Sequence, residues 1–227
     1  MKILPTITSF LEWKVKLNEV KELNLKEIAL FPTTISYENR IELYKLLEET
    51  SVEEIPFVHL KSDFYQKEID YLIERYNTKI FNIHNQNKHP LLNLKTKEYN
   101  NLFCVENDYG ILNELEINNF GGVCLDFAHL EHTHIVIPDV YKINVNIINK
   151  NLPKCNHISA IANKPYINST TDLEKLSYDI HFLTSLSEVD YLKHYPRNYF
   201  SNFIALELEN SIKDQLKIID YIDKLLQ

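Results

Sequence analysis

The stretch Gly122-Val123-Cys124-Leu125-Asp126-Phe127-Ala128-His129 opens with an apolar run of strand length, Gly122–Phe127, that carries a carboxylate at Asp126 and, three residues after it, an imidazole at His129. Strands of parallel sheets read this way because both of their faces are covered. The same arrangement recurs outward along the chain. Upstream, Leu102–Glu106 closes on Glu106, with Asn107 and Asp108 after it, Lys79–His84 closes on His84 and Ile55–His59 on His59. Downstream, Asn156–Ile161 carries His157, and Phe203–Glu209 carries Glu207 and Glu209 on one face, since side chains alternate along a strand. Lys2–Thr8 and Glu27–Phe31 bring the candidate strands to eight.

Between these runs lie segments with helical spacing of apolar residues: Leu11–Asn24, Glu38–Glu49, Tyr65–Tyr76, Ile111–Asn118, Val140–Asn149 and Ser211–Leu226. Eight strands, each followed by a helix or long loop, predict an α/β chain folded as a (β/α)8 TIM barrel, one domain over residues 1–227. The allowance of about 28 residues per unit is near the compact limit of that fold. The 3 glycines, Gly110, Gly121 and Gly122, form no glycine-rich phosphate loop, which speaks against a doubly wound nucleotide-binding domain. The interval from Ile161 to Asn202 is long for a barrel loop, and its aromatics either stack on a ligand or pack over the barrel.

With 44% hydrophobic and 25% charged residues, the chain has the composition of a folded globular protein and can bury a core. Its formal charge of -8 argues against a general polyanion binder. The apolar start is broken by Pro5 and Thr6, too short for a signal core, and no stretch approaches a membrane span, so the expected location is the cytoplasm. Cys104, Cys124 and Cys155 each lie in an apolar run without metal-binding spacing and read as buried reduced thiols.

In a (β/α)8 barrel the active site lies at the C-terminal ends of the strands, where these polar residues fall. Carboxylates and neutral imidazoles are costly there unless they are paired or bind a cation. Imidazole with carboxylate is the ligand set of Zn²⁺, Mn²⁺ or Fe²⁺. His89, His132, His134 and His194 lack the strand-end register and read as surface or supporting residues. Lys61, Lys88, Lys164 and Arg197 fall in expected βα loops and are candidate phosphate contacts.

Val105-Glu106-Asn107 and Gly122–His129 resemble the two most recognisable motifs of the xylose-isomerase-like TIM barrels, the superfamily of endonuclease IV and of many sugar and sugar-phosphate isomerases and epimerases. Asp179-Ile180-His181 is similar to the Asp-x-His pair of endonuclease IV. Carried over by position, the resemblance implies metal ligands at His59, His84, Glu106, Asp126, His129, His157, Asp179, His181 and either Glu207 or Glu209, with Glu207 preferred. That is the complement of a trinuclear centre; the isomerases keep one divalent ion on Glu106, Asp126, His157 and the last glutamate. The chain departs from the pattern after His157, where no acidic residue follows, and at Phe182-Leu183-Thr184-Ser185, which replaces a Leu-Gly-x-Gly segment. Leu60-Lys61-Ser62-Asp63 also lacks the tyrosine and leucine wedge used on abasic DNA.

The resemblance thus implies a divalent-metal-dependent phosphoester hydrolase with two or three Zn²⁺ or Mn²⁺ ions, acting on a small phosphorylated substrate or damaged DNA. The alternative is a mononuclear sugar or sugar-phosphate isomerase or epimerase in which Glu106 and Glu207 move the proton, and a third reading is a non-catalytic binding barrel. Lys61, Lys164 and Arg197 are the expected substrate contacts, no membrane partner is expected, and the oligomeric state is left open.

Overall fold

Residues 2–94, 98–168 and 175–227 are described by the computed structural model. Strands β1 (Lys2–Leu4), β2 (Thr6–Thr8), β3 (Glu27–Phe31), β4 (Glu54–His59), β5 (Ile80–Ile83), β6 (Phe103–Glu106), β7 (Gly122–Asp126), β8 (Cys155–Ile158) and β11 (Phe203–Leu206) form one parallel sheet. The order is β1-β11-β8-β7-β6-β5-β4-β3-β2. Pro5, which has no backbone N–H to give, divides the first barrel strand into β1 and β2. Ile3 pairs with Ile204 on one side and Thr6 with Ala29 on the other, so the two halves close the sheet into an eight-strand barrel.

Helices α1 (Trp13–Glu22), α2 (Tyr37–Leu47), α3 (Gln66–Tyr76), α4 (Glu114–Asn119), α6 (Pro138–Lys150) and α7 (Ile212–Leu225) match the six segments of helical spacing. Helix α5 (Phe127–Val136) begins on the residue after β7 with no break, so the strand run Gly122–Phe127 overruns β7 by one residue and the helix has no separate segment in the sequence reading. Among the described residues no α-helix follows β5. After β8 the chain makes an antiparallel hairpin, β9 (Ala160–Asn168) with β10 (Lys175–Ile180), and then a 3-10 segment, Leu186–His194. The described residues of the long interval before β11 are therefore structured, and the buried Tyr191, Tyr195 and Tyr199 among them pack inward. Phe127 stacks on Phe200 at 4.5 Å.

Two apolar layers result. One lies between strands and helices and holds most of the Ile, Leu and Val. The other fills the barrel itself with Leu4, Ala29, Phe31, Phe57, Ile80, Cys104, Cys124, Cys155 and Ala205. The three cysteines are free and buried, and burial pushes the Cys124 thiol up to about 12. No helix among the described residues is long and apolar enough to cross a membrane.

Candidate metal centre

The alternation that points Phe57, Cys104, Cys124, Cys155 and Ala205 into the barrel points the residue two further along each strand into it as well. Those residues are His59, Glu106, Asp126, His157 and Glu207, all within 7% of full burial or deeper. The apolar interior thus carries a layer of acids and imidazoles directly above it, at the C-terminal mouth.

Glu106 stands at the centre. Its Oε2 lies 3.6 Å from His59 Nε2, 3.9 Å from His84 Nε2 and 3.7 Å from His157 Nδ1. Its Oε1 lies 3.4 Å from His129 Nδ1. Around it the groups overlap. His59, Glu106 and His157 present ligand atoms within 4.8 Å of one another, as do Glu106, Asp126, His157 and Glu207. Beside these, Asp179 Oδ2 lies 3.4 Å from His129 Nε2 and 3.8 Å from His181 Nε2. Asp179 and His181 reach the mouth from the end of β10 and the residue after it.

Several of these atoms are buried without a hydrogen-bond partner: both ring nitrogens of His59, Nε2 of His157 and Oδ2 of Asp126, while His157 Nδ1 lies 3.2 Å from Glu207 Oε2. Leaving such groups unsatisfied costs about 1–3 kcal/mol each, and a cation between them removes that cost. The residues present therefore fit a divalent ion, as hard carboxylate and borderline imidazole donors do.

The surrounding chain orients the donors. Asp126 is the N-cap of α5: its Oδ1 accepts from the His129 N–H at 2.8 Å, which leaves Oδ2 facing the cluster. Asn107 grips the same strand end, accepting from the Asp126 N–H at 2.8 Å and donating to its carbonyl at 3.0 Å. Asn82 donates to Glu106 Oε2 at 2.7 Å, and Ser159 donates to Asp179 Oδ1 at 2.9 Å. Tyr109 donates to Asp179 Oδ2 at 3.0 Å and lies edge-on to the His129 ring. His129 Nδ1 faces the Asn107 carbonyl at 2.9 Å, and His181 Nδ1 the Glu207 carbonyl at 3.2 Å. With the proton on Nδ1, each ring turns a bare Nε2 toward Asp179.

The charges are set by the same surroundings. Burial pushes His59 well below the ordinary imidazole range, helped by His84 and His157, and it takes His84 down to about 4. Burial works against charge on His157 too, but Glu106, Asp126 and Glu207 outweigh it and carry His157 up to about 10. Burial raises Glu106. It acts on Asp179 in the same sense, yet His181 and His129 hold that carboxyl down to about 2.

The structure brings His59, His84, Glu106, Asp126, His129, His157, Asp179, His181 and Glu207 to one mouth. Glu209 is turned away from them: its Oε2 pairs with the buried Lys16 at 2.8 Å, and its backbone N–H donates to the His181 carbonyl. Lys61 is exposed just beyond His59, and Lys164 is exposed on β9. Lys88 pairs with Asp108. Arg197 lies toward the N-terminal end of the barrel, its Nη1 donating to the Leu226 carbonyl at 3.0 Å, so it cannot meet a substrate at this mouth. Asn107 belongs to the Val105-Glu106-Asn107 motif of the sequence reading, whereas Asn82, Tyr109 and Ser159 are supporting residues that sequence reasoning did not single out.

No family model matches the chain, and no curated protein matches it in sequence. Among solved structures it is similar to a xylose isomerase-like TIM barrel protein from Mycobacterium smegmatis in complex with magnesium, at 11% identity over 99% of this chain and 97% of that one, with a TM-score of 0.46. It is also similar to a xylose isomerase domain containing protein from Salmonella typhimurium, at 14% identity over 100% of both chains, with a TM-score of 0.47.

Proposed function

We propose that the chain is a multinuclear metal-dependent phosphoester hydrolase. The observation that carries this reading is the position of Glu106, whose two oxygens face different imidazoles, His59, His84 and His157 on one side and His129 on the other. A carboxylate so placed suits a bridging role, and the donors exceed what one ion takes. His59, Glu106 and His157 make one close group and Glu106, Asp126, His157 and Glu207 a second that shares Glu106 and His157 with it, while His84 and the His129, Asp179 and His181 side chains lie beside them. A mononuclear centre has no use for so many.

His59, Glu106, Asp126, His157 and Glu207 would hold divalent cations there, which would supply Lewis-acid polarisation of a phosphoryl oxygen and of water and would offset charge on the leaving oxygen. The chain's own residues do the positioning. The N-cap bond, the Asn107 grip and the Ser159 and Asn82 hydrogen bonds hold each carboxylate in one orientation before substrate arrives. Tyr109 is 38% exposed at the rim, so its ring is open to substrate while its hydroxyl stays on Asp179. Lys61, exposed past the end of β4, is the cation best placed to meet a phosphate oxygen.

The test is metal content per chain in protein purified without chelator, joined to hydrolysis of bis(4-nitrophenyl) phosphate and of a duplex with one abasic site. Two or three ions per chain together with phosphoester cleavage support the reading. A single ion, no cleavage and exchange of a substrate carbon-bound proton with solvent would replace it with the sugar isomerase reading.

A further inference from the structure

Asp179 reaches the mouth from a strand outside the barrel sheet. Among the described residues β10 pairs only with β9, and the ladder breaks beside Asp179. Ser177 pairs with Tyr166 and Asp179 with Ile161, so Tyr178 falls opposite residues 162–165 without a register partner. A backbone N–H left out of a ladder needs another acceptor. The Tyr178 N–H finds one outside the hairpin, donating to His132 Nδ1 at 3.3 Å. His132 lies about one helical turn beyond His129 on α5 and is only 6% exposed. Because Nδ1 accepts, the ring carries its proton on Nε2, and burial holds it below the ordinary imidazole range. The Tyr109 ring packs against both imidazoles, its centroid 4.6 Å from that of His132 and 4.7 Å from that of His129. Tyr109 in turn donates to Asp179 Oδ2. His132 therefore touches both the residue before Asp179 and the residue that holds its Oδ2.

We propose that His132 is a positioning residue for Asp179: by accepting the Tyr178 N–H it fastens the end of β10 to α5, the helix that also carries His129. The inference rests on Asp179 being a metal ligand, as the proposed function has it. Asp126 and His129 come to the mouth from the junction of β7 and α5, whereas Asp179 and His181 come from the hairpin. The two pairs are set by different parts of the chain, and the His132–Tyr178 bond joins residues 46 apart in sequence. A tie at this point fixes where the hairpin donors stand relative to the barrel donors. An apolar ring in place of His132 fills the same space but leaves the hairpin without the tie.

The experiment compares wild type with His132→Phe, which keeps a ring against Tyr109 but has no acceptor, and with His132→Asn, which keeps an acceptor near the place of Nδ1 but has no ring. Hydrogen exchange at the Tyr178 amide is followed in chelator-treated protein. Zn²⁺ affinity is measured by competition with a chelating dye, with Asp179 present and in an Asp179→Ala background. In His132→Phe the Tyr178 amide is expected to exchange faster by about tenfold or more, while the amides of the barrel strands keep their wild-type rates and show the fold intact. Zn²⁺ affinity is expected to fall by about tenfold in the same variant. His132→Asn is expected to recover most of both losses, and in the Asp179→Ala background His132→Phe is expected to bring no further loss. Unchanged Tyr178 exchange in His132→Phe overturns the proposal, as do equal losses in the two variants or a loss of affinity that persists in full without Asp179. If Asp179→Ala itself leaves the affinity at the wild-type level, the ligand reading of Asp179 fails and takes the proposal with it. That failure is distinct from the others, because exchange at Tyr178 is read without metal.

Discussion

At the residue scale, the carboxylates of the centre are held in place by hydrogen bonds from the surrounding chain. Asp126 spends Oδ1 on the His129 N–H, and Asp179 spends Oδ1 on Ser159 and Oδ2 on Tyr109. Removing such an outer bond leaves the ligand in place but loosens it, so Ser159→Ala is expected to weaken metal binding by about 10–100-fold with little change in fold. A competition titration against a chelating dye reads this directly. Protons are the other competitor. In the metal-free protein His157, raised to about 10, is charged at neutral pH, and its ion pairing adds stability that is complete below about 6.5 and is lost as the pH rises through about 10. Metal needs the neutral ring, so the expected metal affinity rises with pH over that same window, with release of a proton on binding. Calorimetry in two buffers of different ionisation enthalpy measures the proton. The ligand types were legible in the sequence because a His, Asp or Glu closing an apolar run has few cheap explanations. Asn82 and Ser159 were not, because Asn and Ser at strand ends belong to ordinary turn chemistry.

At the element scale, the helices that hold the strands in place are tied by a few buried polar contacts. Arg40 of α2 is fully buried, with its Nε 2.8 Å from Glu68 Oε1 and its Nη1 3.2 Å from Asp63 Oδ1, while the Tyr44 hydroxyl donates to Glu68 at 2.9 Å. Arg40→Met removes the cation but leaves Glu68 buried. The expected cost is about 3–5 kcal/mol, seen in a denaturant titration, whereas removing both charges together in Arg40→Met/Glu68→Leu is expected to recover much of it. The regular elements were readable in the sequence where their periods are clean: all eight barrel strands are short apolar runs, and α7 carries an apolar stripe over Ile212, Ile218 and Ile222. Reading failed where one element begins without a break from another, as at Asp126, which is at once the last residue of β7 and the cap of α5. It failed again between Ile161 and Asn202, where among the described residues β9 and β10 pair only with each other and the buried positions of β10, Ser177 and Asp179, are polar, so no apolar face marks the strand.

At the scale of the whole molecule, the barrel keeps its apolar layer and its polar layer on the same strands, two residues apart, so the centre is bound up with the folded state. The unfolded chain scatters His59, Glu106, Asp126, His157 and Glu207 over 149 residues of sequence (59 to 207, counting both ends) and cannot offer them to one ion. Ions that bind only the folded form stabilise it by mass action, by about 2.7 kcal/mol at a free concentration one hundred times the dissociation constant. For a chain of this size that corresponds to a rise in Tm of about 5–10 °C. Stripping the protein with chelator is therefore expected to lower Tm by that amount, and adding back Zn²⁺ or Mn²⁺ to restore it. Glu106→Gln provides the control. Losing the shared carboxylate charge, the variant is expected to fold, to lose phosphoester cleavage by at least about a hundredfold, and to respond to chelator by only a small fraction of the wild-type shift. A Glu106→Gln protein that kept the full shift would place the stabilising ions elsewhere and separate the barrel mouth from the metal altogether.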